Sequence, residues 1–219
     1  MKSKVLSNEK VTQAPAYNKV LWKLTLAVVS IVSLYYLLNR GFIYFKFSKE
    51  VYTDYFWFRA PWLLVHIVGG ITAMVIGPFQ FIPRLRANYP KLHRTMGKIY
   101  IGAILLTTSI SFYLVSTAQL GLVYNVGVTM LAIASLCTTG IAYFAIRAGN
   151  VEVHKIWMIK SYVMTLAFVV FRLGEDLMTA LNISSFFERK VLMAWVCWAI
   201  PFLLTEVILQ IRNLTRKPL

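Results

Sequence analysis

Residues 62–100 read WLLVHIVGGITAMVIGPFQFIPRLRANYPKLHRTMGKIY, and this stretch decides the fold. It opens on an apolar run of the length, roughly 20 residues, that a helix needs to cross the hydrocarbon core of a bilayer. Pro78 removes a hydrogen bond late in that run and should bend or end the helix there. A basic loop follows, and another apolar run begins near Gly97. The stretch therefore predicts two membrane spans joined by a positively charged loop.

The composition of the whole chain agrees with this prediction. Of the 219 residues, 58% are hydrophobic and 14% are charged, whereas a soluble domain carries about a quarter charged residues. The apolar runs lack the two-residue alternation of barrel strands. We therefore predict an all-α, polytopic transmembrane helix bundle at 20–212, between a polar tail at 1–19 and a basic tail at 213–219. Its six predicted spans are residues 21–38, 62–82, 97–119, 122–146, 156–181 and 191–211.

The net charge of +15 would indicate a nucleic-acid partner in a soluble protein. Here most Lys and Arg residues lie between the apolar runs, so we expect them to set the orientation and to contact anionic lipid headgroups, with no nucleic acid bound. The larger share falls on one side, which predicts that both termini are cytoplasmic. Residues 42–60 are rich in Phe, Tyr and Trp and form either an interfacial segment or a lid over a site.

Small residues line one face of the second predicted span. Gly69, Ala73 and Gly77 recur at intervals of four, and His66 precedes Gly69 and Gly70 by one turn. A histidine above such a face can seat a planar macrocycle as its axial ligand. The same face also lets two helices pack closely.

Two further histidines start the third and fifth predicted spans. His93 precedes Gly97 by one turn, and His154 lies at the same, cytoplasmic, depth because both spans run outward. His66 lies about 24 Å further out at 1.5 Å per residue. His93 and His154 are therefore candidate ligands of a haem or a metal, with His66 as a further candidate. The alternative is that they are surface residues near lipid headgroups.

Three polar residues belong to the same depth as these histidines. They are Gln80, Arg94 and Glu206. Glu206 would orient a histidine, as carboxylates do for ligating imidazoles, or pair with Lys160 or Arg94.

A polar stripe runs along the fifth predicted span. It contains His154, Met158, Ser161, Thr165, Arg172, Glu175 and Asp176. An intramembrane arginine needs a partner and is a functional candidate by default. Arg172 has Glu175 and Asp176 within one turn, so this intramembrane cluster is either functional or a self-paired structural ion pair.

Four blocks of the sequence carry a resemblance to a known family. They are His66 with Gly69 and Gly70, GPFQF at 77–81, HRTMGKIY at 93–100, and HKIWMIKSY at 154–162 with Arg172. Together they resemble the bacterial membrane proteins of the domain-of-unknown-function family 2306. The resemblance implies a multi-pass protein of the bacterial inner membrane and implies no particular activity. Lys160 stands where we expect arginine in that family.

The leading functional hypothesis is electron transfer by one haem b held between His93 and His154. Gln80, Arg94 and Glu206 would support the ligands. With three histidines in the chain, two bis-histidine haems cannot be built. One alternative is a small-solute or proton-linked transporter, suggested by Arg172 and its acids. The other is a non-catalytic assembly or scaffold subunit. A redox partner goes with the electron-transfer hypothesis and an assembly partner with the scaffold hypothesis, and the sequence identifies neither.

Overall fold

The structure is a computed structural model, and it describes residues 16–214. Within these residues the chain forms α-helices and short helical turns, with no strand. The helices are α1 Ala16–Tyr36, α2 Lys49–Trp57, α3 Ala60–Gln80, α4 Pro83–Asn88, α5 Pro90–Ser116, α6 Leu122–Arg147, α7 Val151–Thr165, α8 Ala167–Ala180 and α9 Phe186–Leu214. A π-helical turn, Leu37–Gly41, and a 3-10 turn, Phe42–Lys46, connect α1 to α2.

The described residues hold five helical segments long and apolar enough to cross a membrane, and a sixth if α7 and α8 count as one bent span. Many large apolar side chains point outward, among them Leu122, Leu204 and Ile208. In water such exposure would be costly, whereas lipid is a suitable solvent for it. The predicted all-α bundle of membrane-spanning helices is confirmed. The side on which the termini lie stays a prediction.

Several boundaries differ from the predicted ones, and proline explains two of them. The third predicted span begins at Pro90 rather than at 97, because proline is well suited to the first turn of a helix. His93 therefore lies in the first turn of α5. Pro78 lies inside α3, which ends two residues later at Gln80.

The predicted tails lie largely outside the described residues. Of the polar tail at 1–19, the last four residues belong to α1 and residues 1–15 lie outside the described part of the chain. The basic tail at 213–219 begins inside α9, which is described as far as Leu214.

The fifth predicted span is bent by 40° between α7 and α8, at Leu166. The sequence there contains neither glycine nor proline, so the prediction of one continuous helix at 156–181 misses the bend. Thr165 Oγ1 donates to the carbonyl of Ser161, 3.2 Å away. Such a bond to the carbonyl four residues earlier weakens a helix slightly and often bends it, but Thr72 makes the same bond in the unbroken α3. The bond therefore accompanies the bend and does not by itself account for it.

Small residues let the central helices approach closely. α3 packs mainly against α5, and α6 against α7. The core between these four helices contains Ala73, Ala103 and Ala142 together with Tyr100 and Tyr162. Ile104 and Met158 complete this core, and its two tyrosines bring hydroxyl groups into the middle of the bundle.

Candidate functional site

Four hydroxyl groups meet where α5, α6 and α7 pack together. The Tyr100 hydroxyl lies 2.9 Å from Oγ of Ser161 and 2.9 Å from Oγ1 of Thr165. Ser161 Oγ also lies 2.7 Å from Oγ1 of Thr139. Tyr100 is 0% and Ser161 1% exposed. Thr165 gives its one hydroxyl proton to the Ser161 carbonyl, so Tyr100 donates to Thr165, Ser161 to Tyr100 and Thr139 to Ser161. The direction of hydrogen bonding in this hydroxyl cluster can reverse only when Thr165 releases that carbonyl.

An ion pair joins α7 to α9 directly beside the hydroxyl cluster. Nζ of Lys160 lies 2.6 Å from Oε2 of Glu206, and Lys160 is 7% exposed. The same Nζ lies 4.2 Å from the ring centroid of Trp157. The other oxygen of Glu206 accepts a hydrogen bond of 2.9 Å from Gln210. An enclosed ammonium in a membrane protein needs such a counterion to stay charged. Lys160 is one of the two basic partners that the sequence suggested for Glu206.

A second group of charges lies on α8, beyond the bend. Arg172 Nη1 donates to Glu175 Oε2 at 3.0 Å, and Lys190 of α9 pairs with the other oxygen of Glu175. Arg40 Nη2 donates to Asp176 Oδ1, also at 3.0 Å. The local pair of Arg172 with Glu175 agrees with the sequence expectation. Lys190 and Arg40 were not expected, because nothing local in the sequence indicates which distant helices contact α8.

His93 and His154 lie near the starts of α5 and α7, at the same end of the bundle. Nδ1 of His154 donates to the carbonyl of Ala142 at 2.8 Å, which leaves Nε2 of the neutral ring with its lone pair. His93 interacts electrostatically with His154, Arg86 and Arg94. Its Nδ1 is buried without a hydrogen-bond partner among the described residues. The two imidazoles are therefore brought into one neighbourhood.

His66 lies in the opposite half of the bundle and joins α3 to α5. Its Nδ1 is 3.1 Å from the carbonyl oxygen of Thr107 and 3.2 Å from Oγ of Ser111. A Cβ placed on Gly69 would overlap the Thr107 side chain, whereas one on Gly70 would meet nothing within 4 Å. Gly69 thus gives α5 room to approach α3. Of the two interpretations of this small-residue face, close helix packing is favoured over a binding site for a flat ligand.

Two more glycines receive side chains from neighbouring helices. A Cβ on Gly77 would overlap the ring of Tyr162, and one on Gly97 would lie 3.4 Å from Oε1 of Gln80. Gln80 is 7% exposed, and its Nε2 finds no hydrogen-bond partner within residues 16–214. In the same part of the chain, no three His, Cys, Asp or Glu side chains are grouped to hold a metal ion.

The bent pair of α7 and α8 thus carries polar groups through the thickness of the bundle. Lys160 and Glu175 are separated by about 22 Å at 1.5 Å per residue, out of a hydrocarbon core of ~30 Å. The hydroxyl cluster and the bend lie between them. A carboxylate at each end, with reversible hydroxyl contacts in between, is an arrangement that can accept, pass on and release protons.

Fold and polar groups together define a small multi-pass membrane protein with a polar interior. The chain belongs to the family described as predicted membrane protein (DUF2306), whose model matches residues 63–209. The match covers most of α3 through most of α9, and α1 with the aromatic segment at 42–60 lies outside it. No curated protein and no solved structure matches the chain.

The sequence already pointed to Ser161, Thr165 and Arg172 as a polar stripe, but it did not single out Tyr100 or Thr139. Both are polar residues inside apolar runs, and that signal could have marked them. Their distant partner, Ser161, could not be read from spacing, because it is 61 residues from Tyr100 and 22 from Thr139.

Proposed function

We propose that this chain is a proton-linked transporter of the bacterial inner membrane whose proton pathway conducts without a co-transported solute. The observation that supports the proposal is the series of enclosed polar groups along the bent pair of α7 and α8: the Lys160–Glu206 ion pair, the hydroxyl cluster, and the Arg172–Glu175–Lys190 group. Ionisable groups inside membrane spans mark ion or proton paths in general. Discontinuous helices with polar groups at the break are typical of secondary transporters.

The charge pairs have the chemistry that proton transfer requires. Glu206 and Glu175 each face a lysine, so either carboxylate can take up a proton when its lysine is drawn away. Between them, the hydroxyls of Ser161 and Tyr100 can each donate and accept. A bent helix also gives α8 freedom to move against α7, which alternating access needs.

Proton uptake by reconstituted vesicles tests this proposal. The full chain is placed in vesicles that enclose a pH-sensitive dye, a membrane potential is imposed with potassium and valinomycin, and the initial rate of acidification is measured. We expect the rate to exceed that of protein-free vesicles. Lys160→Met should lower it about tenfold or more, because it removes an enclosed ammonium and leaves Glu206, whose side chain is 35% exposed, without its counterion.

Lys155→Met is the matched control. Lys155 lies on the same helix, but its pair with Glu152 is exposed. This variant should match the unaltered protein. Rates equal to those of protein-free vesicles would overturn the proposal, as would an equal loss in both variants.

A second candidate function is electron transfer through one haem b, favoured by the orientation of His154. Its Nδ1 is bonded to a backbone carbonyl, the arrangement in which a histidine presents Nε2 to a metal. His154 and His93 would hold the iron, which supplies one-electron chemistry when bound. The placement of both histidines at one end of the bundle supports this candidate, whereas the notches at Gly69 and Gly97 are filled by Thr107 and Gln80 and count against a flat ring there.

An absorption spectrum separates the two candidates. Protein purified after haem-replete expression should show a Soret band if haem is bound, and His93→Ala should remove it. A spectrum without that band, or one unchanged by the substitution, would eliminate the haem candidate and leave the transporter proposal untouched.

A further inference from the structure

A cavity of about 450 Å³ opens at the end of the bundle where α1 ends. The π-helical and 3-10 turns and the start of α2 form one wall, and Arg172 of α8 contributes to the other. Its charged lining residues are Arg40, Lys46, Glu50 and Arg172. The cavity therefore presents three cations and one acid.

Existing ion pairs leave part of this positive charge unused. Arg40 is held by Asp176 and Arg172 by Glu175, each through one guanidinium nitrogen at 3.0 Å. The Arg40 side chain is 52% exposed, so its remaining guanidinium N–H groups are open to the cavity. Arg172 Nε lacks a hydrogen-bond partner among the described residues but is enclosed. Lys46 forms no ion pair with any described residue and is exposed. Unused donors on a guanidinium, next to a lysine, suit an anion with several oxygen atoms.

The wall that carries Lys46 and Glu50 is held in place by aromatic packing. Tyr52 is 1% exposed, and its hydroxyl donates to the carbonyl of Tyr44 at 2.9 Å. Burial raises the pKa of Tyr52, so the hydroxyl keeps the proton that it donates. The Tyr52 ring also contacts Phe47 at 5.5 Å between centroids. This wall is therefore already ordered in the free protein, so a ligand that binds there loses little free energy to ordering it.

We propose that this cavity binds the phosphate group of an anionic ligand. A phosphate group offers two non-bridging oxygens in a phospholipid and three or four in a monoester or the free ion, and these can accept from Arg172, Arg40 and Lys46, while Ser48 lines the same space. The neighbouring segment at 42–57 is rich in aromatic rings, which favour the depth of the lipid headgroups. The phosphate is carried either by an anionic phospholipid or by a solute in water. This inference does not depend on proton transport and is tested by binding alone.

Binding to the full purified chain in detergent tests the inference. The probes are short-chain phosphatidylglycerol, phosphatidylcholine of the same chain length, and inorganic phosphate, each titrated by calorimetry. Preferential binding of phosphatidylglycerol would identify a lipid headgroup as the source, and binding of inorganic phosphate would identify a soluble one. Either result supports the site. The proposal would be overturned if none of the three probes binds. It would also be overturned if both lipids bind equally and inorganic phosphate does not bind.

Three substitutions in one short segment assign the binding to the cavity. Lys46→Gln should weaken it about fivefold, the factor that one contact between opposite charges at about 4 Å is worth in water. Glu50→Gln should strengthen binding, because it removes the one acid from the lining. Lys49→Gln is the control, since Lys49 carries the same charge nearby but does not line the cavity. Equal weakening by Lys46→Gln and Lys49→Gln would show general charge attraction and would also overturn the proposal.

Discussion

At the scale of single residues, the bundle depends on positions where a side chain from one helix enters a notch in another. Gly77 of α3 faces the ring of Tyr162 on α7, and Tyr162 in turn donates to the carbonyl of Met74 at 3.3 Å. Such notches explain why small residues, Gly69, Ala73 and Gly77, recur at intervals of four in α3. They also compete with any cofactor for the same space.

A matched pair of glycine substitutions tests this packing. Gly77→Ala should lower the free energy of unfolding by about 1–3 kcal/mol, because the added methyl group overlaps the Tyr162 ring and overpacks the interface. Gly70→Ala should be neutral or stabilising by up to ~1 kcal/mol, since its Cβ would meet nothing within 4 Å and alanine favours the helix. Denaturation of both variants in the same detergent measures the difference. A greater loss at Gly70 would contradict the assigned packing.

At the scale of helices, the sequence predicted most spans and missed the bend. Runs of roughly 20 apolar residues suffice to place membrane helices, and the local pair of Arg172 with Glu175 follows from their spacing. The bend at Leu166 follows Thr165, which takes its second partner, Tyr100, from another helix. Contacts between helices distant in sequence do not follow from the order of apolar runs. The residues of the candidate site were therefore partly predictable, whereas their pairing was not.

The bend provides a test at this scale. Thr165→Val removes both hydroxyl contacts and should lower the free energy of unfolding by about 1 kcal/mol. It should also reduce proton uptake, because Tyr100 then loses one of its two partners. Thr72→Val is the control, since the Thr72 hydroxyl likewise donates to the carbonyl four residues earlier, at 2.8 Å. If both variants take up protons at the same rate, the Thr165 hydroxyl at the bend has no specific role in transport.

At the scale of the whole molecule, charge is divided between two ends. One end carries His93, Arg94 and His154 near the starts of α5 and α7, and the other carries Arg40, Arg172 and Lys190. The distribution of Lys and Arg predicts that the first of these ends faces the cytoplasm. Between these ends α7 and α8 carry the Lys160–Glu206 pair, the hydroxyl cluster and Arg172, with the apolar residues 166–171 between the cluster and Arg172.

Reporter fusions test the orientation. A fluorescent protein joined to the C-terminus should fold and fluoresce in bacterial cells, and alkaline phosphatase at the same position should stay inactive, because it matures only outside the cytoplasm. The loop between α5 and α6, at 117–121, should give the reverse result. An active phosphatase at the C-terminus would invert the predicted topology.

The central claim is that protons pass through the hydroxyl cluster, and Ser161 is its middle member because it contacts both Tyr100 and Thr139. The most direct measurement is the initial rate of proton uptake by vesicles containing Ser161→Ala, compared with Ser135→Ala. Ser135 is also buried, but its hydroxyl donates to the carbonyl of Leu131 within α6, outside the cluster. We predict that Ser161→Ala lowers the rate about tenfold, as expected when a buried partner is left unsatisfied, and that Ser135→Ala leaves it unchanged. Equal rates in the two variants would contradict the account.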